Sequence, residues 1–452
     1  MNASATLPHV TSAAGAHPSS DDVVARTGLR ERIVHVPRRF VSEEWGGTET
    51  VVLEIAKRQQ ASGYDPMVVT SLALATRERE VIHGVPVRRH RYTYPFFGLS
   101  SLEKLALDKK GGNMLSLSLL YALLTIPHVR LYHAHTLKRV GGIVCTAARL
   151  RRKPSVVSVH GGIFDVPAAE QELLLQPICG KLEWGRPFGA LLGSRTVLED
   201  ADMVIFVSQP EAEVARRHLK HDRIAHLPNG VDYARFSRGH GAAFRAQLGI
   251  RQDAFLALNV ARIDEQKNQG LLLESFAQLA ARHADAHLVL LGPETQPTYA
   301  TRLKERIAQA DLAGRVHMMP AMRHDAPALV DAFHACDALV LPSRHEPFGI
   351  AVLEAWSAGK PVITSAVGGL AALVRDGETG LCFNPAAADA EEQLTEKLLL
   401  LARHEVLRGD LATAGQREAQ TLYDWSRIAA RQEEIYQLAE RHHSARRRRR
   451  TS

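Results

Sequence analysis

Glu346 and Glu354 stand with seven residues between them in the stretch SRHEPFGIAVLEAWSAGK, one on each side of Gly349. The apolar run Ala338-Leu339-Val340-Leu341 ends at Pro342, and a polar loop leads into a helical pattern near Gly349. A helix start presents unpaired N–H groups and partial positive charge, so it suits a phosphate or diphosphate, and Gly349 lets that ligand approach the backbone closely. From Gly349 to Glu354 the helix rises roughly 7.5 Å. The carboxylates are therefore offset along a ligand, where one can bind a sugar and the other a ribose. Taken alone, such a pair also fits a solvated loop charge and an exposed helix residue.

Other polar residues fall where strand patterns end. Arg262 and Lys267 lie five positions apart on the loop after the strand-like Phe255 to Val260, ahead of a helix from about Asn268. An arginine fork and a lysine point charge on one loop can neutralise a diphosphate leaving group. His160 follows the apolar run Val156 to Val159, and Gly161 and Gly162 leave its ring facing a cleft. His133 and His135 alternate on a strand and share a face, so a metal pair is conceivable. The sequence offers no evident third ligand, and packing or acceptor contact is the expected role. Gly46-Gly47 sits between a strand at residues 32–37 and a helix with apolar Val51, Val52, Ile55 and Ala56. It brings backbone N–H groups toward an anion or sugar, or is a plain turn capped by Thr48.

The stretch from Ser343 to Pro385 resembles the Glu-x7-Glu signature of retaining glycosyltransferases of family four, with the GT-B fold. The resemblance rests on Pro347, Phe348-Gly349, Glu354-Ala355, Ala358 to Ile363, Gly368-Gly369 and Asp376 to Gly380. It covers roughly residues 32 to 440 and is strongest in the second half. It implies two Rossmann-like doubly wound α/β domains facing across a cleft. The second would hold a nucleotide-diphosphate sugar and the first the acceptor.

The resemblance implies that Glu354 binds the ribose, Glu346 the transferred sugar, and Arg262 with Lys267 the diphosphate. Backbone N–H groups around Phe348, Gly349 and Ile350 would meet phosphate oxygens, and Gly292, with Arg323 less clearly, would lie near the base. Gly46 and Gly47 match the family's glycine loop facing donor phosphates and acceptor, and His160 its strand-end histidine near the donor sugar. Retention is implied, through front-face attack in which a leaving phosphate oxygen helps take the acceptor proton. Catalysis would then be mostly positioning and charge stabilisation. The nucleotide-sugar is a substrate, and with a cationic pair already available to the diphosphate no metal cofactor is expected.

Composition agrees with a two-domain globular protein: 452 residues, 45% hydrophobic and 23% charged. The net charge of +7 is concentrated at the end, where residues 446–450 are five consecutive arginines. The four cysteines are far apart with no Cys-x-x-Cys spacing, which argues for reduced thiols in a cytosolic protein. Residues 1–28 are expected to be a disordered leader and not a secretory signal. Met114 to Ile126 is too short and too interrupted to cross a bilayer.

Strand-like runs at residues 67–70, 85–87, 131–133, 155–159 and 203–207, mostly separated by helix-length segments, predict a parallel sheet covered by helices. Irregular segments at residues 91–114 and 165–200, the latter a longer helical excursion, are expected to shape the acceptor pocket. Pro228-Asn229-Gly230-Val231-Asp232 resembles the family's hinge. The expected units are residues 29–235, residues 236–415, a helix at 416–442 crossing back to the first domain, and a basic tail at 443–452.

The function expected is transfer of a hexose-type sugar to a glycan, lipid-linked or small-molecule acceptor in cell-surface polysaccharide synthesis. It would occur in the cytoplasm, with peripheral membrane contact through the arginine tail and no nucleic-acid partner. The competing readings are a nucleotide-sugar-binding or polyanion-binding adaptor, a GT-B epimerase, and a paired-carboxylate hydrolase. The last needs two carboxyls about 5 to 9 Å apart across one bond.

Overall fold

The computed structural model describes residues 30–42, 45–164, 175–309 and 311–451. The expected leader and part of the 165–200 segment lie outside the described residues.

Two α/β units follow each other. The first sheet contains β1 (Arg32–Val36), β2 (Asp65–Ser71), β3 (Arg79–Ile82), β4 (Val85–His90), β5 (Val129–Ala134), β6 (Ser155–Val159), β7 (Met203–Phe206) and β8 (Ile224–His226). Their spatial order is β3-β4-β2-β1-β5-β6-β7-β8. The second sheet contains β9 (Phe255–Val260), β10 (Ala286–Leu291), β11 (Val316–Met319), β12 (Ala338–Leu341), β13 (Val362–Ser365) and β14 (Leu381–Phe383), in the order β11-β10-β9-β12-β13-β14. Strand direction reverses nowhere in the second sheet.

Among the described strands the antiparallel pair is β3 with β4, where a parallel sheet was expected. The turn between them is His83-Gly84, with φ of 47° and 84°. Two successive left-handed residues match the strand twist in a tight hairpin, so a helix-length connection is not needed.

The strands read as continuous apolar runs because both faces are covered: β6 is buried throughout, and β9 through Asn259. Each sheet carries a core on each face. The helix Gly47–Ala61 presents Val51 and Ile55 to one face of the first sheet, together with Trp425, Ile428, Ile435 and Tyr436 from the end of the chain. Fully burying one large apolar side chain stabilises by about 1.5–3 kcal/mol. The terminal helix is therefore an integral part of the first unit.

The chain crosses between units twice, and the crossings are tied together. The Val231 N–H donates to the Tyr423 carbonyl at 2.8 Å, and the Trp425 N–H donates to the Val231 carbonyl at 3.1 Å. A Cβ on Gly230 would lie 2.6 Å from the Trp425 ring, so glycine is required at that crossing. The expected crossover helix at 416–442 is two helices, Glu405–Leu422 and Trp425–Thr451, broken at this tie.

The arginine run is not a separate tail, because the terminal helix continues through it to Thr451. Arg446 donates to the Asp200 carbonyl at 2.8 Å, and His443 lies 3.1 Å from Asp202. Further back on the same helix, Arg130 at the start of β5 pairs with Glu433 at 2.7 Å and Glu440 at 2.8 Å. These glutamates are two turns apart and share a face.

The segments expected to be irregular contain short helices. Within 91–114, Ser101–Lys110 starts with a capping box from Ser100 and Glu103; Leu117–Thr125, just beyond that segment, is capped by Ser116. Within 175–200 the expected longer helical excursion is three short pieces, Gln176–Ile178, Arg186–Leu191 and Val197–Asp200. Among the described residues no helix is long and apolar enough to cross a membrane.

Candidate active site

In each sheet the first strand of the unit lies inside the order, flanked by β2 and β5 in one case and by β10 and β12 in the other. The connections leave on opposite sides there, which opens a crevice at the carboxyl ends of the strands. Arg262, Lys267 and Glu346 follow β9 and β12, while His135 and His160 follow β5 and β6.

On the second unit, Lys267 ends a short 3-10 turn, Glu265–Lys267, whose start is capped by the Asp264 side chain. Its Nζ lies 2.5 Å from Glu346 Oε2, with both side chains largely buried. The residues expected to bind diphosphate and transferred sugar are thus joined as an ion pair, and Glu346 is not a solvated loop charge. Arg262 is 46% exposed; it pairs with Asp264 at 2.9 Å and donates to Gln266 at 2.7 Å. Gln266 in turn donates to the His345 carbonyl at 3.1 Å. The cationic loop and the glutamate loop are therefore stitched together.

Glu354 sits on the helix Ile350–Ser357, half-buried, and its carboxylate accepts no hydrogen bond among the described residues. Burial lifts its carboxyl to about 7, with the Arg235 charge pulling the other way. A buried carboxyl without a partner is costly unless a ligand's hydroxyls complete it. Gly349 caps this helix at φ 95°, and a Cβ there would lie 2.5 Å from Leu370. Phe348 is buried against the second core, so it contributes backbone and not its ring to the loop face.

Gly292 has a packing explanation of its own. A Cβ at this position would lie 1.8 Å from the Ala261 carbonyl oxygen, so the loops after β9 and β10 require glycine with or without a ligand. Arg323 pairs with Asp325 at 2.9 Å. Between them, His324 stacks on Trp45 of the first unit at 4.0 Å and 8° between planes.

On the first unit, Gly46 itself is the extended N-cap of the helix Gly47–Ala61, in place of the expected Thr48. A Cβ on Gly47 would lie 3.4 Å from Ile350 Cδ1, so the glycine loop faces the start of the Glu354 helix across the cleft. Beside it lies a cavity of about 330 Å³ lined by Arg38, Arg39, Glu49, Lys138, His135 and His160 among others. Glu211 holds the loop after His160 by accepting the Ile163 and Phe164 amides. Sequence reasoning passed over Arg38, Arg39 and Lys138. The available signal was their position just after the apolar runs of β1 and β5.

His133 and His135 lie in a buried cluster with His35, whose ligand-type nitrogens fall within 4.8 Å of one another. Every ring nitrogen of the three has a hydrogen-bond partner: His35 with His135 and Gln59, His135 with His35 and His160, His133 with Tyr436 and Ser158. Their lone pairs and protons are engaged with the protein instead of converging on one point. Burial holds His35 and His160 down at about 4, and His133 and His135 well below the usual imidazole range.

Comparisons with known proteins fit this geometry. Residues 45–235 match the family model "Glycosyltransferase Family 4", and residues 242–417 match "Glycosyl transferases group 1". The D-inositol 3-phosphate glycosyltransferase of Geodermatophilus obscurus is 31% identical over 249 residues, 53% of each chain. That of a Nocardioides species is 26% identical over 412 residues, covering 87% of this chain and 85% of its own. The chain spans about half the length of most of the curated relatives it matches, such as 45% of the Mycolicibacterium gilvum protein.

Among solved structures, Anabaena HepE in complex with UDP aligns with a TM-score of 0.66 at 20% identity, covering 89% of this chain and 98% of its own. Sucrose-phosphate synthase from Thermosynechococcus elongatus gives 0.67 at 21%, covering 90% and 98%. Two consecutive family models on two facing α/β units place the chain in glycosyltransferase family 4, the group 1 glycosyl transferases, with the GT-B fold.

Proposed function

We propose that the protein transfers a hexose-type sugar, with retention and without a metal cofactor, from a nucleotide-diphosphate sugar to a hydroxyl of a small anionic acceptor. The observation that carries this reading is the Lys267–Glu346 pair beside the unpartnered Glu354, all grouped around the Gly349 helix start.

In this reading Glu354 accepts the ribose hydroxyls, and the N–H groups around Phe348, Gly349 and Ile350 meet the phosphates. Lys267 and Arg262 neutralise the diphosphate as the glycosidic bond breaks. Positioned charges of this kind lower a barrier without reorganising during the reaction. Glu346, fixed by Lys267, orients the sugar by its hydroxyls. A leaving phosphate oxygen helps take the acceptor proton on the same face. HepE structures holding UDP and UDP-glucose support a nucleotide-sugar donor.

The acceptor is placed in the cavity beside Gly46 and Gly47. Arg38, Arg39 and Lys138 against the single Glu49 favour an anion there, and the names of the curated relatives point to a phosphorylated cyclitol. A lipid-linked acceptor in cell-surface polysaccharide synthesis is the second reading. Its support is the exposed apolar set Phe97, Leu102, Leu117 and Tyr121, around the segment that lines the cavity at Gly111 to Met114. In that case the enzyme works at the cytoplasmic membrane face.

The test is transfer from UDP-, GDP- and ADP-sugars to D-inositol 3-phosphate and to unphosphorylated inositol, with products read by mass and anomeric configuration. The reading expects one donor, retained configuration, preference for the phosphorylated acceptor and indifference to chelator. Neither transfer nor slow donor hydrolysis with any pair would overturn it.

A further inference from the structure

His160 does not stand alone at the cleft. Its Nε2 lies 3.0 Å from His135 Nδ1, and His135 Nε2 lies 3.0 Å from His35 Nδ1. His35 Nε2 lies 2.8 Å from Gln59 Oε1, and the Gln59 amide nitrogen lies 3.3 Å from the Tyr436 hydroxyl on the terminal helix. His35, His135, Gln59 and Tyr436 are all buried. The chain ends at His160 Nδ1, a buried nitrogen with no partner among the described residues.

The polarity of this chain follows from donor and acceptor chemistry. Tyr436 has one hydroxyl proton and sits 2.8 Å from His133 Nδ1. Gln432 Nε2 donates to the Tyr436 oxygen at 2.6 Å and points at His133 Nδ1 from 3.1 Å. Tyr436 therefore gives its proton to His133 and receives from both amides, which turns the Gln59 oxygen toward His35. An amide oxygen only accepts, so His35 Nε2 must carry its proton. His35 Nδ1 then accepts from His135 Nε2–H, and His135 Nδ1 accepts from His160 Nε2–H.

We propose that the terminal helix, through Gln432, Tyr436, Gln59, His35 and His135, fixes His160 as a neutral imidazole with its bare Nδ1 presented to the ligand. The group received there is a hydroxyl proton donor of the sugar donor or acceptor, and not a phosphate or carboxylate. Gln59 and Tyr436 are positioning residues that act through His160. Burial, which disfavours imidazolium throughout the chain, supports the same state. The functional consequence rests on the transferase reading, whereas the protonation pattern does not.

The test uses the full-length protein labelled with 15N-histidine, with His160 assigned by comparison with His160→Gln. The expected result at pH 7 is a protonated Nε2 and an unprotonated Nδ1 at His160, His135 and His35 alike. Tyr436→Phe, which keeps the packing but frees the Gln59 amide, should convert His160 to a mixture of both tautomers. With substrates, the same variant should lower kcat several-fold while donor KM stays unchanged. A protonated Nδ1 at His160 in the wild type would overturn the proposal, as would a His160 tautomer unmoved by both Tyr436→Phe and Gln59→Leu. If the tautomers behave as expected but no donor is turned over, the transferase reading fails and the relay stands.

Discussion

On the second unit the groups facing the cleft are charged and come from two neighbouring loops and one helix turn: Arg262, Lys267, Glu346 and Glu354. On the first unit the strand ends present neutral imidazoles, backed by three strands, the helix Gly47–Ala61 and a helix from the far end of the chain. The same sheet architecture thus supplies ion-paired loops on one side and, beside the cavity of Arg38, Arg39 and Lys138, a chain of neutral imidazoles on the other. In the proposed reaction a diphosphate leaving group needs fixed charge, which the second unit would supply from half-exposed Arg262 and largely buried Lys267. In the same proposal sugar and acceptor hydroxyls need directed hydrogen bonds, which the first unit would supply from its buried histidine chain.

The charged side should break first. Lys267→Ala removes a cation from the proposed diphosphate site and leaves Glu346 without its lysine partner, so kcat for transfer should fall by about 10²–10³, in the range of losing one preorganised charge-stabilising donor. Gly349→Ala puts a Cβ into Leu370 at a left-handed position, and should cost roughly 1–3 kcal/mol with loss of donor binding. Thermal unfolding and a nucleotide titration on one sample separate the two effects.

The dependence of the neutral side on the terminal helix can be tested away from the cleft. Arg130→Ala strips both Glu433 and Glu440 of their shared partner. It should destabilise by about 2–3 kcal/mol, as expected when charge-assisted bonds are lost, while nucleotide affinity stays near wild type. Loss of nucleotide binding in the folded variant would mean that the two sides are not separable.

Smaller effects separate the sides by pH. Burial lifts the Glu354 carboxyl to about 7, and in the proposed donor site its carboxylate is the form that would accept ribose hydroxyls. Nucleotide affinity should therefore rise as pH increases through 7, and Glu354→Gln should flatten that dependence. The histidines work in the other range. His35 and His160 are depressed to about 4, so the unfolded chain binds more protons between roughly pH 6.5 and 4. Their contribution to stability is complete above pH 6.5 and is lost as pH falls through that window. A stability profile flat from pH 7 to 4.5 would contradict the neutral histidine chain.

What could be read from the sequence follows the same division. The Glu346 and Glu354 site is contiguous, so its order and spacing carry the chemistry, and strand ends located Arg262, Lys267 and His160. The acceptor cavity and the relay are assembled across the chain: Gln59 meets Tyr436 at a separation of 377 residues, and neither carries a local signal. The His83-Gly84 turn was legible as turn chemistry, yet Val85-Pro86-Val87 reads equally as a strand entered from a helix. The arginine run shows the opposite failure. Its composition suggests a solvated tail, while Asp200 and Asp202 anchor Arg446 as a continuation of the helix.

The division of labour between the two sides is tested most directly by calorimetric titration of UDP, GDP and ADP into the wild type, Glu354→Ala and His160→Gln. The account predicts that one nucleotide binds the wild type, that Glu354→Ala weakens it by roughly tenfold or more, consistent with loss of a hydrogen bond to a charged group, and that His160→Gln leaves it unchanged. Equal binding to wild type and Glu354→Ala, or loss of nucleotide binding in His160→Gln, would contradict it.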